Sequence, residues 1–271
     1  MKYQITTVLH GLMFPEGPTV DSKGNIWFTE LKGGTLGCLS PDQTFNRFPV
    51  ANGTPNGIAI DHNDHVWFCD TSNGCVSRLN TETLEIDTVC SEVDRQPLDH
   101  PGDLAFDILG TLVFSCHANS RQEPVGYVCA WSSDWSKKIS DGKFFPNGLT
   151  FTSDGKELII AETYKHRLWK GKWDAPRSIW YDEHPWVEVG GPIGPDGMAF
   201  SDDGDLYVAV YGQKAIKVIS PQGVIIDVID IPGQNPTNCV FLPDGGLIVT
   251  EAERGELLKI DIKKKGMILF S

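Results

Sequence analysis

Six short stretches share one frame: a proline, a variable residue, usually a glycine, then an apolar run. They are Phe14-Pro15-Glu16-Gly17, Thr54-Pro55-Asn56-Gly57, His100-Pro101-Gly102-Asp103, Phe145-Pro146-Asn147-Gly148, Gly194-Pro195-Asp196-Gly197 and Asn235-Pro236-Thr237-Asn238. Behind the proline the residue changes from copy to copy: Glu16, Asn56, Gly102, Asn147, Asp196, Thr237. That set offers two carboxylates and two amide oxygens, with neither Cys nor His. Hard oxygen donors suit Ca2+ first and Mg2+ next, with Mn2+ or Zn2+ as further alternatives. Two carboxylates neutralise a divalent ion, and calcium takes about 6–8 oxygens. Three or four protein ligands therefore leave places for water and substrate, as in a catalytic rather than a closed structural site. Asn-Gly and Asp-Gly are also ordinary turn pairs, so Asn147 and Asp196 each have a bland explanation. Glu16 has none, because Glu is a poor turn residue, and a shared cation supplies one.

The elements that must position these residues follow from the spacing. The prolines recur at steps of 40 to 49 residues, the period of propeller blades. After each motif come short β-branched and aromatic runs bounded by Asp/Gly turns, such as Ile26–Glu30, Val66–Asp70 and Leu247–Glu251. Such runs read as antiparallel hairpins. With third and fourth runs in most copies, residues 1–271 are expected to form one all-β domain, a six-bladed β-propeller of four-stranded antiparallel blades. A ring must close. Tyr3–Leu9 and Gly266–Phe270 both qualify as outer strand of the last blade, and the N-terminal strand is the expected closure. The motif starts then ring one mouth of the channel, and the second strands return to it at Glu30, Asp70, Cys116-His117, Glu162, Tyr211 and Glu251. That mouth is expected to be the acidic, ligand-binding face. Trp180 and Trp186 flank a long insertion that could lid it.

Bulk properties narrow the class. A net charge of −13 over 271 residues argues against nucleic acid or an anionic membrane as partner and suits a cation. The N-terminus lacks a signal-like apolar stretch, and the seven cysteines are odd in number and lack ligand spacing. Both point to a cytoplasmic protein with reduced thiols, a monomer or weak homo-oligomer.

Phe14-Pro15-Glu16-Gly17-Pro18, Phe145-Pro146-Asn147-Gly148-Leu149 and Gly194-Pro195-Asp196-Gly197-Met198 together resemble the senescence marker protein/gluconolactonase (regucalcin-like) family, and the likeness runs over essentially the whole chain. The resemblance implies a six-bladed propeller with one divalent metal in the channel, held by Glu16, Asn147 and Asp196. It also implies that Asp196 is the general base of lactone hydrolysis. The chain departs from the family at Gly102, where members carry Asn, and at His100, where some carry Arg. Both departures point away from a sugar-acid lactone, and Gly102 leaves space for a bulkier or more apolar substrate. Asn56, His100, Asp103, His117 and Tyr211 are the expected substrate contacts. The resulting expectation is a metal-dependent hydrolase of a small lactone or ester. A phosphotriesterase-like hydrolase using the same site and a non-catalytic propeller similar to NHL-repeat proteins stand as alternatives.

Overall fold

The structure is a computed structural model that describes residues 2–267 and 270. Six four-stranded antiparallel sheets follow one another, each running from an inner to an outer strand. The inner strands are Pro15–Val20, Pro55–Ile60, Pro101–Phe106, Pro146–Phe151, Gly194–Phe200 and Pro236–Phe241, and they neighbour one another around a closed ring. The outer strand of the sixth blade is Gln4–His10, paired antiparallel with Glu256–Asp261. The N-terminal strand thus closes the propeller as expected. The rival segment goes elsewhere: Gly266 bridges Ser201, and the Met267 N–H donates to Phe200 O in the fifth blade. Ile268 and Leu269 of that segment lie outside the described residues.

Packing follows the alternation of the strands. The second strands are buried on both faces, as in Val66–Asp70 and Leu112–Cys116, because each is sandwiched between neighbouring blades. Hydrophobic clusters accordingly lie between blades rather than in one central core. All seven cysteines are free and buried. The Trp180–Trp186 stretch is no lid. It belongs to the long outer strand Ile179–Glu188 of the fourth blade, where Trp180 is buried against Trp173 and its neighbours.

Two repeated devices hold the blade geometry. Asp21 and Asp61 each cap a hairpin turn and accept an indole N–H, from Trp27 (2.9 Å) and Trp67 (2.8 Å). Asp107 takes its indole from Trp173 of the next blade, at 2.9 Å. The second device concerns the acidic residues that end the second strands. Glu30, Asp70, Glu162 and Glu251 are all essentially buried, and each accepts a backbone N–H just before a motif proline. The donors are Met13 (2.9 Å), Thr54 (2.9 Å), Phe144 (2.7 Å) and Asn235 (2.8 Å). Arg47 and Arg167 neutralise Glu30 and Glu162 from outside. These carboxylates are loop clasps, not an open acidic face, which corrects the expectation for them. Asp70→Ala would leave the Thr54 and Asn73 donors unpaired and is expected to cost about 2–3 kcal/mol in urea unfolding. A loss below about 0.5 kcal/mol would show that the clasp is dispensable.

Candidate active site

The site begins with a register slip. In all six blades the pairing of inner and second strands skips just after the proline, between Glu16 and Thr19, Pro55 and Ile58, Pro101 and Leu104, Pro146 and Leu149, Pro195 and Met198, and Pro236 and Asn238. A bulge bends the strand and re-aims a side chain. Here it frees the residue after the proline from the ladder in five blades, while Glu16 still pairs with Thr29 and the skip begins just after it.

At the same level hydroxyl groups lace the blades together. Thr29 donates to Asn56 O (2.7 Å), Thr71 to Pro101 O (2.8 Å), Thr163 to Pro195 O (2.8 Å) and Thr237 to Pro15 O (2.8 Å). Two of these hydroxyls also receive an amide: Asn147 Nδ2 donates to Thr163 Oγ1 at 3.4 Å and Asn56 Nδ2 to Thr71 Oγ1 at 3.5 Å. Each Asn therefore has its NH2 end tied back and its Oδ1 left as a free acceptor. Asn56 and Asn147, one expected to touch substrate and the other a metal, are held in the same harness.

Glu16 and Asp196 are buried (7% exposed each), as is Asp103 at 8%. Burial, then the charges of Asp196 and Asp103, lift the Glu16 carboxyl well above the ordinary carboxylate range, against smaller downward pulls from the Gly17 N–H and Thr237. Asp196 is raised likewise, by burial and then by Asp103. None of the ion pairs among the described residues reaches any of the three. A buried carboxylate without a cation is costly, and two side by side more so. Among the described residues no three His, Cys, Asp or Glu side chains gather as a ligand group. A cation here would be held by carboxylate and amide oxygens together, and Glu16, Asp196 and Asn147 are the candidates to hold it.

Asp103, expected to touch substrate, is engaged within the protein through both oxygens. Its Oδ1 accepts the Leu104 N–H (2.8 Å), and its Oδ2 accepts Asn238 Nδ2 at 3.2 Å. Burial pushes its carboxyl up to about 6. Asp103 and Asn238 come from the third and sixth blades, which face each other across the ring, so the bond is a crossbar over the channel. Both residues stand where four of the six copies have glycine. The glycines are what let the bar pass: a Cβ on Gly57 would lie 2.0 Å from Asp103 Oδ1, and one on Gly197 1.8 Å from Asn238 Cγ. Beyond the bar the channel opens into a cavity of about 660 Å³ lined by Ile58, Phe106, Phe151 and Met198 among others. Its walls are mostly apolar.

The remaining expected contacts lie at the mouth. His117 is buried, accepts the Asn119 N–H at Nδ1 (3.3 Å) and stacks on Phe145 with ring centroids 4.2 Å apart. Burial, then His100 and Arg121, lower its pKa to about 4, so it is neutral at pH 7 with its proton on Nε2. His100 is a rim residue, 40% exposed, engaged by Asp99 and Asn119. Tyr211 stacks with Phe14 at 6.3 Å, and burial followed by Asp196 and Glu16 pushes its hydroxyl up to about 12. Sequence reasoning missed Asn238, Phe14, Phe145 and Tyr164. The Asp/Asn exceptions in a column of glycines were the available signal for Asn238.

A six-bladed propeller that gathers carboxylate and amide oxygens at one mouth through a repeated strand bulge defines a recognisable class. Residues 14–253 match the model of the SMP-30/gluconolactonase/LRE-like region, and the chain belongs to that family. Diisopropyl-fluorophosphatase of Loligo vulgaris is 27% identical over 96% of this chain and 93% of its own length. Lactonase drp35 of Staphylococcus saprophyticus is 26% identical over 84% of this chain and 75% of its own. Among solved structures, the calcium-binding protein regucalcin of Agrobacterium tumefaciens superposes with a TM-score of 0.88 at 18% identity, covering 99% of this chain and 97% of its own. A gluconolactonase of Xanthomonas campestris does so with 0.85 at 18% identity, covering 96% and 89%. These two likenesses speak for the fold alone. By family and curated relatives, the chain stands among hydrolases of lactonase and gluconolactonase type that include a fluorophosphatase. No helix among the described residues is long and apolar enough to cross a membrane.

Proposed function

We propose that the protein is a calcium-dependent hydrolase of a small lactone or ester, acting at the mouth ringed by Glu16, Asn147 and Asp196. The observation that carries this is the pair of buried carboxylates, Glu16 and Asp196, which no ion pair among the described residues answers. The pair supports a bound cation, and the hydrolase relatives support its use in catalysis. Glu16, Asn147 and Asp196 would hold the ion through their side-chain oxygens. When bound, the ion would supply Lewis-acid polarisation of the substrate carbonyl. Asp196 accepts the proton of the attacking water. Water adds to the carbonyl carbon, the C–O bond to the leaving oxygen breaks, and the proton passes to that oxygen. Neutral His117 offers its Nε2–H to the substrate, and Tyr211 lines the opposite side.

The likeness to diisopropyl-fluorophosphatase over nearly the whole chain favours one second reading, in which the same residues act on a phosphoryl centre. A panel of lactones, carboxylic esters and fluorophosphates followed by pH-stat, with calcium and with chelator, tests both. Hydrolysis is expected to fall at least a hundredfold with chelator and to return when calcium is restored. The Tm is expected to drop with chelation as well, since a ligand at 100 times its Kd adds about 2.7 kcal/mol. Full activity in excess chelator would overturn the metal assignment.

A further inference from the structure

One position of the repeat stays small almost all the way round. The fourth residue after the motif proline is Thr19, Ala59, Ala105, Thr150, Ala199 and Val240 in turn, and all six line the cavity below the Asp103–Asn238 bar. The three alanines are half-buried, so each leaves room on its cavity side. The residue after it is apolar in every copy and is phenylalanine in four. Short side chains at one level widen the bore, and apolar ones at the next deny water its partners. The resulting space of about 660 Å³ falls within the range of about 300–1,000 Å³ typical of small-molecule pockets.

Both ends of this space are bounded. At the upper end the polar groups of the bar are engaged within the protein. Asn238 donates to Asp103 through Nδ2 (3.2 Å), and its Oδ1 accepts the Cys239 N–H (2.8 Å). Glu16, Asn147, Asp196, His117 and Tyr211 are not among the described residues that line the cavity, so it is separate from the reaction mouth. At the lower end the chain leaving the sixth blade runs along the fifth. Lys264 pairs with Asp203 and Asp205 (2.7 and 2.6 Å), and Lys265 O accepts the Asp202 N–H (2.8 Å). Lys265, Gly266 and Met267 thereby become part of the cavity wall. Phe270 lines it too, packed against clusters shared by the second, third and fourth blades. The hairpin-turn carboxylates Asp21, Asp61 and Asp64 stand at the same end and disfavour an anion.

We propose that this lower chamber is a second small-molecule site, and that its ligand is an uncharged, largely apolar molecule. The test titrates the full chain with N-phenyl-1-naphthylamine, a neutral dye that brightens in apolar surroundings. Saturable binding of one dye per chain is expected. Ala105→Leu and Ala199→Leu each send a branched side chain into the bore and are expected to weaken binding at least tenfold. His117→Ala, at the other mouth, is expected to leave it within twofold. No saturable binding, binding unmoved in both leucine variants, or binding lost in folded His117→Ala would overturn the proposal. Should neither leucine variant fold, photolabelling of the wild type with benzophenone decides. Attachment at Met198 or Met267 upholds the chamber, and attachment elsewhere rejects it. Because the readout is binding, either result is independent of whether the mouth hydrolyses a lactone.

Discussion

Asp196→Asn and Glu16→Gln are each expected to abolish calcium binding, to lower hydrolysis about a thousandfold, and yet to make the metal-free protein more stable at pH 8. The first two effects follow from removing a ligand charge and, in Asp196→Asn, the base itself, each costing about 10²–10⁴ in rate. The third follows from burial. Because both carboxyls are raised in the folded state, their favourable contribution is complete at pH below about 4 and is lost as the pH rises through their folded values. At pH 8 the metal-free wild type carries more of this penalty than at low pH, and a neutral isostere removes part of it. About 1–2 kcal/mol of gain per substitution is the expected scale for relieving strain at a functional site. Calcium titration by calorimetry and urea unfolding in chelator at pH 4 and pH 8 would read it. The gain should be present at pH 8 and largely gone at pH 4. Retained tight calcium binding in either variant would remove its residue from the ligand set.

Gly57→Ala and Gly148→Ala are expected to destabilise the fold by about 3 kcal/mol or more. At Gly57 the new Cβ would stand 2.0 Å from Asp103 Oδ1 and 2.5 Å from Asp103 Cα. At Gly148 it would stand 2.3 Å from Asp196 O and 2.6 Å from Gly197 Cα. These are largely backbone atoms, which cannot swing aside, so the inner strands of adjoining blades must part. Gly102→Ala is the contrast. Its nearest neighbour would be Ser115 Oγ at 3.3 Å, and a cost under about 1 kcal/mol is expected. Thermal unfolding should place the first two variants roughly 6–12 °C below wild type. Near-native melting of Gly57→Ala would mean that the blades yield at the axis more easily than this packing allows.

The propeller and its ring of motif residues were legible because both are local and repeated. A proline every 40 to 49 residues, with hairpin runs behind it, encodes a blade whatever the other blades do. Glu16 was legible for the same reason, as a residue at odds with its siblings. What depended on contacts between blades was not. Glu30, Asp70, Glu162 and Glu251 look like an acidic mouth in one dimension, and only the loop hydrogen bonds show where their charge goes. Asp103 was read as a substrate contact because its partner, Asn238, lies 135 positions away.

That partnership has a bearing on turnover. A propeller with an open axis is a pipe, and small solutes can drift through from either end. The bond between Asp103 and Asn238 turns this one into a blind alley. Substrate and product must share a single doorway, so the acid left by one cycle stands in the path of the next. Inhibition by product, competitive with substrate, is the kinetic trace such a cul-de-sac leaves.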